Sequence, residues 1–372
     1  MIKKVPLPKK YHFLVNKKFI SKFFEKKKFF QKEIKIEKIN PNSVEMAGVL
    51  KIFINYLISL DMEKKTLQAI YRFGGSKSQE FQVLRYLSDY KFKNSHFLIP
   101  RPLFYFKKEK VLLYENVPGI PLSDLPVKKT LSLLKNKISL FVNSLVSLQK
   151  TNPPAPKYNF KKDEIKAKKF EIEFLKFLPE SRDLIKKTIL EIFEKKKFYL
   201  TKNIPPFFTH NDLTLGNLIW QKDYNPPTTH KNSLGLIDFS ESCYQDPLTD
   251  LGTFLAQLDY LDFRLGGKVL PRSREISLRG LVKNLQKEYI KKYITSLKKD
   301  YYPPTTLPAE GWAPDIKNKL LLNGWGKRLS LYRAWGNLQN AIFVLAAQEK
   351  IQNPRGCLWF LKVTDNLLRY EK

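Results

Sequence analysis

Pro118-Gly119-Ile120-Pro121 divides this chain into two regions of different periodicity, and that division limits the fold more than any other feature. Ahead of it, three strand-like runs, Ile34 to Ile39, Val49 to Leu57 and Thr66 to Phe73, are separated by Asn40-Pro41-Asn42-Ser43 and Asp61-Met62-Glu63-Lys64-Lys65. Both separators are rich in turn-forming residue types. Gly74-Gly75 then breaks the pattern. Ser78 to Tyr90 sets Phe81, Leu84 and Leu87 at helical spacing. Leu103 to Phe106 and Val111 to Tyr114 read as a strand pair around Lys107-Lys108-Glu109-Lys110. The order βββαββ predicts a small antiparallel sheet with one helix.

Beyond the divide the periodicity is helical: Leu131 to Gln149, Ile165 to Phe177, Ser181 to Phe193, Leu248 to Leu261, Leu278 to Leu297, Ile316 to Lys350 and Cys357 to Tyr370. Two short strands, Asn217 to Gln221 and Leu234 to Phe239, interrupt it, and Arg264–Arg274 and Tyr301–Pro314 read as irregular loops. The sequence therefore predicts a bilobal α+β chain. A basic arm or extra helix occupies residues 1–32, a small antiparallel sheet lobe 33–117, and a larger, mainly helical lobe 118–372.

Charge narrows the partners. The formal net charge is +32, and residues 1–40 hold 13 Lys against 3 Glu, 13 − 3 giving +10. Such a field attracts phosphates, nucleic acid or anionic lipid. The lysines are spread over the whole chain rather than focused, so nucleic acid is not the expected partner. Phe19, Phe23 and Phe30 can share a helix face in the basic arm, for packing on the first lobe or for a membrane surface. The most apolar stretch, Gly48 to Leu60, is interrupted by Lys51 and Asn55 and is too short to span a bilayer. Cys243 and Cys357 form no disulfide framework or metal-ligand spacing, and a cytoplasmic protein is the expectation.

Asp212, Asn217 and Asp238 carry the chemistry. Phosphoryl transfer needs a carboxylate to orient the attacking hydroxyl and accept its proton, and oxygen ligands for Mg²⁺ on the nucleotide phosphates. Asp212-x₄-Asn217 stands just before a strand, and Asp238 ends the strand that follows the hairpin. The three can converge at one rim of the sheet, which fits a base (Asp212) and two metal ligands (Asn217 and Asp238). The surrounding pattern is His210-Asn211-Asp212…Asn217, Ile237-Asp238-Phe239-Ser240-Glu241, then Asp246-Pro247-Leu248-Thr249-Asp250-Leu251.

That pattern resembles the aminoglycoside phosphotransferase and choline kinase-like family, closely over Ile204–Leu251 and more loosely over Thr66–Pro121. The resemblance implies a protein-kinase-like fold and a kinase that uses Mg²⁺ and ATP or GTP. It implies that Asp212 is the catalytic base, that Asn217 and Asp238 are metal ligands, and that His210 and Asp250 brace the loop. Glu241 would assist metal or substrate. Arg72 takes the place of the phosphate-contacting base, with Glu80 as its ion-pair partner and Lys77 as the nearby rival. The backbone from Glu115 to Val117 would contact the nucleotide base. The segment Asn40 to Gly48, where the family covers phosphate with a Gly-rich turn, has a single glycine.

The implied reaction moves the γ-phosphate of ATP or GTP to a hydroxyl of a small molecule: a sugar, an amino alcohol or a related metabolite. A polycationic aminoglycoside prefers an acidic pocket and is not the expected acceptor of so basic a chain. Two alternatives remain open: a nucleic-acid or anionic-membrane-binding protein on a kinase-like scaffold, and a lipid or glycan kinase at a membrane surface that uses the arm at 1–32. Acceptor specificity is expected in the loops at Arg264–Arg274 and Tyr301–Pro314.

Overall fold

The computed structural model describes residues 2–30, 34–46, 49–60, 63–72, 77–89, 97–200, 202, 204–221, 234–266, 272–299, 324–347 and 354–369. The chain forms two units. One comprises Met1–Ile120 with Ile219–Ser240, the other Pro121–Leu218 with Glu241–Lys372. The hairpin that carries Asp238 thus belongs with the sheet, although it lies late in the chain.

The first unit is built on a six-stranded antiparallel sheet in the order Ile2–Lys4, Lys35–Met46, Val49–Leu60, Glu63–Arg72, Val111–Glu115, Arg101–Phe106. Asn40-Pro41-Asn42-Ser43, read above as a turn, lies inside the strand Lys35–Met46, where Pro41 pairs with Ile54. Proline is tolerated there because Ile2–Lys4 covers only Val44–Met46, so the outer edge beside Pro41 needs no donor. The hairpin closes from Met46 to Val49, and Ala47-Gly48 lies outside the described residues.

The amphipathic arm covers one face of this sheet. Asn16 caps the helix Lys17–Lys27 by accepting from the Phe19 amide at 3.0 Å, and Lys26 and Lys27 sit at the negative end of the helix. Tyr11, Leu14, Ile20 and Phe24 are buried against Ile52, Ile54, Tyr56, Leu67, Ala69 and Tyr71. Phe23 packs on Phe104 and Phe106, each with ring centroids 5.1 Å apart. Burial of each such side chain stabilises by about 1.5–3 kcal/mol, so the arm's apolar stripe is committed to the sheet. Phe19 alone of its aromatic residues stays 42% exposed.

On the same sheet, a registered row of Asn55, Gln68 and Tyr114 links across three strands. The Gln68 amide donates to Asn55 Oδ1 at 2.7 Å, and the Tyr114 hydroxyl donates to Gln68 Oε1. The helix Lys77–Asp89 packs on Arg101–Phe106 and Val111–Glu115 and buries Val83, Leu84 and Leu87.

The second unit is helical. Its core joins Phe174, Ile185, Ile192, Trp335, Leu338, Phe360 and Leu361 from the helices Phe160–Phe177, Arg182–Leu200, Trp325–Ala347 and Pro354–Arg369. The run Leu131 to Gln149, predicted as one helix, is two, Val127–Asn136 and Ile138–Gln149, broken at Lys137 (φ −113°, ψ 15°). The break lets the first pack on Leu248–Gly266 and the second on Arg272–Lys299 and the strand Phe207–Thr209. Helix also extends into the predicted loop Arg264–Arg274, of which residues 267–271 lie outside the described residues, as does all of Tyr301–Pro314. Among the described residues, no helix is long and apolar enough to cross a membrane.

Candidate active site

In the second unit the catalytic-loop residues are fixed from behind by one buried carboxylate. Phe207–Thr209 pairs antiparallel with Cys243–Gln245, and the chain leaves Thr209 straight into His210. Asp250, fully buried near the start of Leu248–Gly266, accepts from the backbone N–H of His210 at 3.0 Å and of Asn211 at 2.8 Å. Gln149 donates to the same carboxylate at 3.3 Å and to Pro247 O at 2.9 Å, and is itself held by the Tyr293 hydroxyl at 2.7 Å. Burial pushes the Asp250 pKa up, opposed by the charge of His210 and the two amide donors.

This bracket holds Asn211 at φ +63°, a conformation that Asn tolerates better than most residues and that costs on the order of 1 kcal/mol. The Asn211 side chain is tied down as well. Its amide donates to Glu241 O at 3.2 Å, and its oxygen accepts from Gln245 at 2.6 Å.

Asp212 follows, half-buried, with its position set by Asn217. The Asn217 amide donates to the Asp212 backbone oxygen at 2.8 Å and to its carboxylate at 2.9 Å. Backbone bonds from Thr214 N to Asp212 O (2.8 Å) and from Asn217 N to Thr214 O (3.1 Å) close the loop. With its nitrogen committed to Asp212, Asn217 has its oxygen end left for a cation. Base and metal-ligand candidates are thus held in one hydrogen-bonded turn, as their spacing required.

In the first unit, Asp238 lies just beyond the strand Leu234–Leu236 at φ +61° and accepts from Ser240 Oγ at 2.6 Å. Its nearest described cation is Lys77, whose ammonium is 3.9 Å from Asp238 Oδ1 and is ion-paired with Glu80. The Lys77 and Glu80 side chains are only 1% and 3% exposed. Glu80, expected as the partner of Arg72, is thus also engaged by Lys77 of its own helix. The Arg72 side chain lies outside the described residues. The spacing Lys77-x-x-Glu80 at a helix start was a readable signal for this pair. Burial pushes the Tyr114 hydroxyl pKa up, and the carboxylates of Glu80 and Asp238 reinforce the shift.

The segment expected to meet the nucleotide base is held as tightly. Asn116 N donates to Thr66 O at 2.9 Å, and Gln221 Nε2 to Pro118 O at 3.0 Å. Lys65 and Arg101 both pair with the Glu115 carboxylate at 2.9 Å, and Glu115 is registered against Leu67 and Arg101 on the two neighbouring strands. Gly235 and Gly119 permit the close approach of this segment to the Asp238 hairpin. A Cβ at Gly235 would fall 2.4 Å from Val117 Cγ1, and one at Gly119 2.4 Å from Trp220 O.

Two arginines of the helix Trp325–Ala347 are engaged in ion pairs rather than solvated. Arg328 is fully buried and pairs with Asp246 at 2.8 Å, and Arg333 Nε donates to Asp259 Oδ2 at 2.7 Å. These partners are more than 70 residues apart in sequence, beyond the reach of local spacing rules.

Asn217 and Asp238 each carry hard oxygen donors, the type that Mg²⁺ takes; that ion needs few protein ligands because it retains water and substrate phosphate. Among the described residues no cluster of three or more His, Cys, Asp or Glu forms a protein-only metal cage.

Comparison with known proteins bears on family and fold. The sequence profile of the "phosphotransferase enzyme family" matches residues 55–277, more than half of the chain. Among solved structures, choline kinase from Cryptosporidium parvum superposes with a TM-score of 0.55 at 15% identity, covering 95% of this chain and 97% of that one. A glucosamine kinase gives 0.50 at 10% identity, covering 91% of each. The GDP complex of aminoglycoside 2'-phosphotransferase-IIIa gives 0.47 at 12% identity, covering 96% and 100%. The first two superpositions establish a shared fold. Comparison with curated protein sequences yields no significant match.

Proposed function

Because the chain belongs to the phosphotransferase enzyme family, we propose that it transfers the γ-phosphoryl group of ATP or GTP to a hydroxyl of a small molecule. The observation that carries this reading is the Asp212 carboxylate, half-buried and oriented by the Asn217 amide on a loop fixed by Asp250. In the proposed step the acceptor hydroxyl oxygen forms a bond to the γ-phosphorus while the bridge to the β-phosphate breaks. The hydroxyl proton passes to Asp212, and the nucleoside diphosphate departs with the bond's electrons. Positioning accounts for most of the rate in such chemistry, which suits a carboxylate held in place from behind.

Asn217 and Asp238 would hold Mg²⁺, which when bound neutralises phosphate charge. Lys77, 3.9 Å from Asp238, is the described cation best placed to meet the same phosphates, with Glu80 steadying its ammonium. Arg72 is proposed as a second such cation from the strand Glu63–Arg72, and the backbone Glu115–Val117 as the contact to the base. His210 and Asp250 act through the loop they brace. Glu241, whose carbonyl holds Asn211, is proposed to contribute there rather than as a required metal ligand.

Calorimetric titration of ATP and GTP, with and without Mg²⁺, tests the nucleotide half of the proposal. Binding that Mg²⁺ strengthens in the native protein but not in Asp238→Ala is the expected result. Absence of nucleotide binding in the native protein would remove the proposal's foundation.

A further inference from the structure

A cavity of about 600 Å³ in the second unit is walled on one side by Thr214, Leu215 and Gly216, on the same loop as Asp212 and beginning two residues after it. Its size is that of a small-ligand pocket, and its wall adjoins the proposed base. From its lining we infer that the acceptor is an uncharged polyhydroxyl compound, a sugar or sugar alcohol, rather than an amino alcohol or polyamine. The inference rests on the phosphotransfer proposed above and names its substrate class.

The polar groups around the cavity match hydroxyls. Ser123 and Thr214 carry hydroxyls, and Gln257 and Asn340 carry amides, uncharged groups of the kind that a polyol engages. The amides are preset: Gln257 Nε2 donates to Asn340 Oδ1 at 2.8 Å, and Gln257 Oε1 accepts from Leu215 N at 3.4 Å. One amide pair thereby ties the cavity wall to the catalytic loop.

The charges disfavour a cation. Arg264 donates to Ser123 O at 3.2 Å and lies over the Tyr260 ring, 5.8 Å from its centroid. A quaternary or primary ammonium is ordinarily received by an aromatic face backed by carboxylates. Here the protein's own guanidinium already covers the Tyr260 face. Among the described residues that line the cavity the one carboxylate, Asp124, is solvent-exposed and accepts from its neighbour Ser123 at 3.0 Å. Among those residues one acid stands against one base, which gives no net charge to draw an ion of either sign.

An apolar surface is also in place for the C–H face of a sugar ring. Phe343 is 55% exposed at the cavity, set edge-on to Tyr260 with centroids 6.0 Å apart at 82°. Nothing in the core requires so large a ring to be left uncovered.

The test uses the full chain with Mg²⁺ and ATP or GTP, following nucleoside diphosphate release that the Asp212→Asn variant lacks. Glucose, ribose, mannitol and inositol are the neutral probes, choline, ethanolamine and kanamycin the cationic ones, and gluconate the anionic one. At least one neutral probe is expected to raise release well above the rate with water alone, and no charged probe to exceed it. Phe343→Ala is expected to raise the KM of that probe by about fivefold and leave the nucleotide KM unchanged. Arg264→Gln should raise turnover of ethanolamine relative to the neutral probe. A charged probe preferred by the native protein, or no neutral probe above water, overturns the class while Asp212-dependent release leaves phosphotransfer standing. Absence of any Asp212-dependent release takes down both.

Discussion

Asp250→Asn isolates the bracket behind the catalytic loop. The carboxylate serves three donors, the amides of His210 and Asn211 at 3.0 and 2.8 Å and Gln149 at 3.3 Å. Asparagine can accept at only one end, so its NH₂ must face a backbone N–H that then has no acceptor. An orphaned buried donor costs about 1–3 kcal/mol, and loss of charge assistance adds about 1 kcal/mol. Against this stands the relief of no longer burying a charge, which is real because burial raises the Asp250 pKa. The donor loss should win, leaving a net destabilisation of about 2 kcal/mol, with Asp250→Ala costing more because both amides are then orphaned. Urea unfolding followed by fluorescence of Trp335 and Trp359, both in the second unit's core, measures it. The catalytic effect should exceed the stability effect. Once Asn211 is free to leave φ +63°, a displacement of Asp212 by about 1 Å costs on the order of 10²-fold in turnover. An Asp250→Asn protein with unchanged stability and unchanged kcat would refute the bracket.

Lys77→Met removes one partner of an ion pair buried on both sides and should lower stability by about 3 kcal/mol, read by thermal unfolding, and raise the nucleotide KM. The pair Lys77→Met with Glu80→Leu should recover much of the stability without the nucleotide affinity, which separates the structural from the phosphate-binding role. Burial pushes the thiols of Cys243 and Cys357 each up to about 12. Because these folded-state values lie above the unfolded ones, each thiol's contribution is fully present below the unfolded pKa and is lost as pH rises through the folded pKa. Stability should therefore fall between about pH 9 and 12, by about 1.4 kcal/mol per pH unit per thiol, in denaturation curves taken at successive pH values.

The geometry of the candidate catalytic loop was legible because its residues lie at short range. Asp212 and Asn217 lie within one hydrogen-bonded turn, and Asp238 ends a strand. Other features lay beyond local reading. Asn40 to Ser43 has turn composition, yet an edge without a partner strand lets Pro41 sit in a sheet. Phe207–Thr209 and Cys243–Gln245 are three residues each, too short for periodicity to register, and they gain their definition by pairing across the catalytic segment. The cavity proposed for the acceptor draws Gln257, Tyr260, Asn340 and Phe343 from helices far apart in sequence, which join only in three dimensions and leave no local signal. Lys77 was readable as an i, i+3 partner of Glu80, since both stand in the first turn of one helix.

The central claim is that Asp212 serves as the base of a phosphoryl transfer. The most direct measurement is transfer of labelled γ-phosphate from ATP or GTP to acceptor, in native protein and in Asp212→Asn at equal nucleotide occupancy. Removal of the base should lower turnover on the order of 10³-fold, with nucleotide affinity and unfolding midpoint held near the native values. Undiminished transfer by the folded, nucleotide-bound variant would contradict the account.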